Sequence, residues 1–190
     1  MNWRVVTAPA AEPIAVYEAK LHVRVDHDAD DAWFAAQIAA ARSYVETRCS
    51  RALITQMLEA TLDAWPTVPF LVLPAPPLQA VESITYTDSA GVAAIVPATQ
   101  YQVLTTHTPG LVGLAYGVGW PTVTLRGWVG IAVRYVAGYG PTAASVPASI
   151  KQAMLLLIGH WYANREAVAA GNLGPLPFAV DALLYPFEVR

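Results

Sequence analysis

The stretch from Pro147 to Val168 limits this chain more than any other. Its apolar residues Ile150, Ala153, Met154, Leu157, Ile158 and Trp161 recur at the i, i+3, i+4, i+7 spacing of one helix face. Pro147 suits the start of a helix, where a missing N–H costs no hydrogen bond. Leu155, Leu156 and Tyr162 widen the apolar surface, and only a narrow back near Gln152, Gly159 and Glu166 suits water. A helix apolar over most of its circumference needs cover on several sides. It is therefore the expected centre of the fold, packed by other elements and by a neighbouring chain.

Two further helices are expected before it. Ile14 to His22 reads as a short one, with Glu18 and His22 on one side and Leu21 turned inward. The second follows Asp28, Asp30 and Asp31, which supply an N-cap and first-turn acids at the positive end of the helix. Its apolar face is Phe34, Ile38, Ala41, Val45 and Cys49, and Arg48 and Arg51 lie at its C-terminal end. Residues 1–13 read as an extended lead-in.

Between these helices and the central one the period changes to two. Leu58, Ala60 and Leu62 alternate with Glu59, Thr61 and Asp63, as in a half-buried strand. Phe70 to Leu73, Val81 to Thr87, Val92 to Val96 and Tyr101 to Leu104 read as further strands. Val129, Ile131, Val133 and Tyr135 give the clearest strand, and 105–127, rich in Gly, Pro and Thr, gives no assignment. The order predicts an α+β fold: a helical bundle core with an inserted antiparallel β lobe and an extended C-terminal tail. The expected segments are 1–52, the N-terminal helices; 53–140, the β lobe; 141–170, the central helix; and 171–190, the tail. Gly171 to Arg190 holds three prolines yet also Phe178, Val180, Leu183, Leu184, Tyr185 and Phe187. Prolines argue against a regular helix there. The tail is expected to be dispensable for folding and to order on a partner.

Composition narrows the function. The chain has 190 residues, is 55% hydrophobic and only 13% charged, so its surface has few charges to keep it solitary. A net charge of −3, with no Lys/Arg cluster, argues against sequence-reading nucleic-acid binding. The single cysteine excludes an internal disulfide framework. The first ten residues lack the apolar run of a signal peptide. The uncharged stretch between Lys151 and Arg165 is shorter than the roughly 20 residues of a membrane span, and that from Ser89 to Leu125 is broken by prolines.

No catalytic, cofactor or metal site is expected. A calcium loop starting at Asp26 would need glycine sixth and glutamate twelfth, where this chain has Asp31 and Gln37. Helix capping with a solvated acidic corner explains those acids better. His22, His27, His107 and His160 show no metal-helix spacing. His160, beside Trp161 and Tyr162, reads as a packing or interface residue, and Cys49 as a small buried hydrophobe. No nucleophile elbow or phosphate loop is present.

Several stretches in order resemble the head–tail connector (adaptor) family of tailed bacteriophages and gene transfer agents. They are Glu18–Asp26 followed by Asp30-Asp31; Ala41–Glu46 running to Arg51-Ala52-Leu53; Leu73–Leu78 before a strand ending Tyr86-Thr87-Asp88; Tyr135–Gly140 with Val146-Pro147; and Ile150–Ala153 continuing through Gly159–Tyr162 to Asn164–Glu166. Together they span roughly residues 12–187, departing most over 89–127. The resemblance implies a virion structural protein rather than an enzyme, assembled in the bacterial cytoplasm into the head–tail neck. It implies self-association into a ring on the portal protein, with the portal's twelvefold symmetry. The ring would extend the DNA channel and offer a platform to the stopper or tail-completion protein. No membrane is involved, and DNA would pass without sequence-specific binding, which the mild acidity suits. Candidate portal or subunit contacts are the six large apolar tail residues with His160 and Tyr162. The rival readings are another neck component, such as a stopper, which should be mostly β, and a small-molecule enzyme with a pocket in the β lobe, which needs a titratable cluster in a cleft.

Overall fold

The fold is α+β, described by a computed structural model over residues 1–165 and 178–189. The chain forms two units: residues 1–10 with 55–138, and residues 11–54 with 139–190.

The second unit is helical, and its helices form where the periodicity places them. Helix α1 spans Val16–Val23, α2 spans Asp31–Cys49, and α3 spans Ala148–Ala163. On α2 the buried residues are Phe34, Ile38, Ala41, Val45 and Cys49, the whole expected stripe. On α3 they are Ile150, Ala153, Met154, Leu157 and Ile158, which join the α2 stripe in one core cluster. Pro147 is the N-cap of α3. Helix α1 starts with half of a capping box, because the Ala15 N–H donates to Glu18 Oε2 at 2.8 Å while alanine offers no acceptor in return. Ser50, in the left-handed conformation at φ 53°, closes α2 through bonds from its N–H to Glu46 O and Thr47 O. Gly159 of α3 faces α1, and a Cβ there would just touch the His22 ring at 3.4 Å.

Three expectations in this unit are corrected. Leu21 is 75% exposed, because α1 turns Ala19 inward, flanked by Val16 and Val23. Asp30 is the N-cap of α2 but makes no side-chain cap bond. The tail is not extended over its described part. Residues Phe178–Leu184 form helix α4, and Tyr185–Phe187 continue as a single 3-10 turn that takes Pro186 without interrupting α4. Val180 and Leu184 are fully buried in the helical core. The rest of the expected tail, 171–177, lies outside the described residues, as does 166–170.

The first unit is built of antiparallel strands. A five-stranded sheet has the order β1-β2-β8-β4-β5, from Asn2–Thr7, Gln56–Leu62, Ile131–Ala137, Leu78–Thr87 and Ala93–Ile95. A three-stranded sheet has the order β3-β7-β6, from Phe70–Val72, Leu111–Leu114 and Tyr101–Leu104. Leu58, Ala60, Ile84, Ile131, Val133 and Tyr135 are buried, as period-two alternation predicts for β2, β4 and β8. The lead-in is strand β1, paired with β2 from Asn2↔Thr61 to Thr7↔Met57, and so belongs to the sheet rather than to the helices. The unassigned 105–127 holds β7 and an isolated bridge from Asp88 to Leu125.

Candidate interaction surfaces

The helical unit contains the eight residues that sequence reasoning offered as contacts. Val180 and Leu184 are internal, so they cannot face a partner while the unit is folded. Leu183 and Phe187 are half-buried against the same core. The segment is fastened to the end of α2 by named bonds. Val189 N–H donates to Cys49 O at 3.1 Å, Arg51 Nε donates to Phe187 O, and Arg48 pairs with Glu188 at 2.7 Å. Arg48 and Arg51 stand where sequence puts cations at a helix C-terminus, and here they also hold the returning chain. Burial pushes the Cys49 thiol up, so this cysteine stays a protonated core residue. Of the six apolar tail residues, only Phe178 (85% exposed) and Tyr185 are turned outward.

Tyr162 is also spoken for. Its ring stacks on Phe34 at 5.2 Å and meets Trp33 edge-on at 5.4 Å. Its hydroxyl donates to Asp30 Oδ2 at 3.1 Å. Arg165 lies over both rings, 4.4 Å from Tyr162 and 4.9 Å from Trp33, and its guanidinium donates to Asp30 at 2.7 and 3.2 Å. The acidic corner is thus an anchorage rather than a cap. Asp30 takes Arg165, while Asp28 and Asp31 take Lys20 at 2.6 and 2.7 Å. Bonding to Arg165 holds the Asp30 carboxyl below the ordinary range. His160 is half-buried in the last turn of α3.

The sheet unit has one charged constellation. Glu59 is only 7% exposed and accepts from Arg4 at 2.7 Å and from Arg134 at 3.1 Å. The three are cross-strand partners on β1, β2 and β8. The two guanidinium bonds hold the Glu59 carboxyl below its usual value. This ladder ties the first strand to the sheet and leaves no group poised for proton transfer. Among the described residues no three His, Cys, Asp or Glu side chains come together as metal ligands, and no helix is long and apolar enough to cross a membrane.

Sequence reasoning missed the aromatic and aliphatic side chains that the fold holds out. Trp3 and Val5 on β1, Tyr17 and Leu21 on α1, and Tyr116 and Trp128 in the sheet unit's loops are all exposed. The available signal was a surplus: the chain carries more large apolar residues than its periodic segments can bury.

Residues 13–97 match the family model described as Phage gp6-like head-tail connector protein. No curated protein sequence matches the chain. Among solved structures, the chain is similar to a component of the neck of an empty gene transfer agent particle treated with C6 symmetry. The two share 28% identity over 100% of this chain and 97% of that one, with a TM-score of 0.83. It is also similar to a chain in the virion of a native gene transfer agent particle and to one in the native particle's neck treated with C12 symmetry. Each of these is 28% identical over the same shares, with a TM-score of 0.79.

Proposed function

We propose, for a chain whose residues 13–97 match the phage gp6-like head–tail connector model, that it is the adaptor of a virion neck. In this reading, copies close into a ring beneath the portal, lengthen the channel through which DNA leaves the head, and present a platform to the stopper or tail. The observation that carries it is the end-to-end likeness to chains in the necks of gene transfer agent particles, one treated with C6 and one with C12 symmetry. The role is structural and needs no catalytic group. A net charge of −3 suits a lining that must not grip phosphates, because each basic contact adds counterion-release affinity and slows sliding. Phe178, 85% exposed, is the tail residue best placed to reach the portal.

The test is reconstitution. Purified chain mixed with portal rings of its own particle should co-sediment and add a second ring of twelve copies in averaged electron micrographs. Phe178→Ala should weaken the docking without lowering Tm. A chain that neither binds the portal nor forms a ring would overturn the adaptor reading.

A further inference from the structure

Two of the apolar features that this chain leaves uncovered differ in shape, one convex and one concave. The convex one is Trp128, 81% exposed. The loop beneath it is tied on both sides. Leu125 bridges Asp88, Arg126 N–H donates to Thr87 O at 3.1 Å, and Thr87 N–H donates to Gly130 O at 2.8 Å. Val129 N–H donates to Asp63 Oδ1 at 2.7 Å, and Arg126 Nε and Nη2 both donate to Val129 O, at 2.9 and 2.7 Å. Val129 sits at φ 51°, a costly conformation for a β-branched residue. Such strain persists only where the surroundings over-determine it. The loop therefore holds the backbone on either side of an indole that stands in solvent.

The concave feature is a notch on α1 of about 510 Å3, lined by Val16, Tyr17, Leu21 and Val25 together with Lys20 and the carboxylates of Asp26, Asp28 and Asp31. Tyr17 and Leu21 lie one turn apart on the same side of the helix and are 71% and 75% exposed. The notch has ample room for one indole.

We propose that Trp128 of one copy seats in the α1 notch of the next. The inference rests on the ring reading above and says which surfaces close the ring. A ring closes through heterologous contacts, a patch on one subunit against a different patch on its neighbour. Every copy carries both halves, so both uncovered features are covered in one step. The charges agree: Arg126 is next but one to the indole in sequence, and the notch carries three carboxylates against the single ammonium of Lys20. Lys20 already engages Asp28 and Asp31, so Asp26 is the acid Arg126 meets first. The same acids would repel a nucleic acid. Tryptophan and arginine are also the residues most enriched where interface energy concentrates.

The experiment uses the full chain with two added thiols, Gly127→Cys beside the indole and His27→Cys between Asp26 and Asp28. A Cβ at Gly127 meets nothing within 4 Å, and native Cys49 is buried. Oxidation of the double variant should give a ladder of covalent multimers, and neither single variant should. Separately, Trp128→Ala should raise the concentration needed for ring formation, measured by light scattering, at least tenfold while Tm stays unchanged. Rings that form normally in Trp128→Ala, with no ladder from the double variant, overturn the knob-and-notch contact and leave the ring reading standing. A wild-type chain that stays monomeric with and without portal rings overturns the ring reading, and this contact with it.

Discussion

The helical unit takes in apolar side chains that its sequence leaves loose, whereas the sheet unit holds some of its largest ones out. In the first, a proline-rich terminal segment returns as α4 and buries Val180 and Leu184 against the α2 and α3 stripes. In the second, the edge strand β1 is exposed at all six positions, and a tightly bonded loop displays Trp128. The lesson concerns backbone partners. A segment that closes its hydrogen bonds as a helix can be packed by its side chains alone. An edge strand needs a ladder on both sides, and natural sheets guard such edges. Here the one charge on β1, Arg4, is turned onto Glu59.

The contrast can be broken most severely at the middle of α3. Leu157 is fully buried, so Leu157→Ala should cost about 2–5 kcal/mol in denaturant unfolding, and Leu157→Lys more. An unchanged midpoint in the lysine variant would mean that the helical core is not centred there. Next comes the returning segment. Leu184→Ala should also cost about 2–5 kcal/mol, and a chain ending at Ala170 should melt at a lower temperature, with Cys49 open to thiol reagents. This reverses the expectation that the tail is dispensable for folding. If the shortened chain melts unchanged, the difference between the two units disappears.

A smaller effect is expected at Glu59. Its carboxyl is lowered in the folded state, so its contribution is present above the unfolded pKa of about 4.3. That contribution is lost as pH falls through the still lower folded value. Glu59→Gln should cost about 1–3 kcal/mol at pH 7 and should flatten the stability-versus-pH curve below pH 5. A variant that keeps the wild-type acid limb would show that the ladder does not hold β1. The smallest effect belongs to Asp30→Asn. Its pairing with Arg165 is on the surface, and a Tm change of about 2 °C or less is expected in calorimetry, shrinking further at high salt.

Much of the fold was legible because it follows from period. The five buried positions of α2 and the stripe of α3 were readable from spacing alone, as was the alternation of Val133 and Tyr135 on β8. What was not legible depends on partners distant in sequence. Asn2–Thr7 is a strand only because β2 lies beside it. β7 has four residues, one of them Gly113, and its ladder comes from β3 and β6. The outward turn of Leu21 was not legible because an eight-residue helix has too few turns to reveal its inward face by pattern. At the candidate surfaces the same limit applies. Composition picked out the tail residues, but only packing separates Leu184 from Phe178. No local pattern reveals that Val129, held by Arg126 and by its N–H bond to Asp63, adjoins a Trp128 that stands in solvent.

The way the chain enters and leaves the sheet unit has an evolutionary consequence. Tyr139 N–H donates to Leu53 O at 3.1 Å, so the helical chain leaves and resumes at neighbouring points. Just beyond, Gln79 Nε2 donates to both Thr55 Oγ1 at 2.8 Å and Gly138 O at 2.7 Å, binding the two ends of the insert to each other. An insert whose ends already meet can lengthen, shorten or be exchanged at little entropic cost to its host. The segment between Leu53 and Tyr139 can thus be traded between relatives as a cassette, provided its donor supplies the matching first strand.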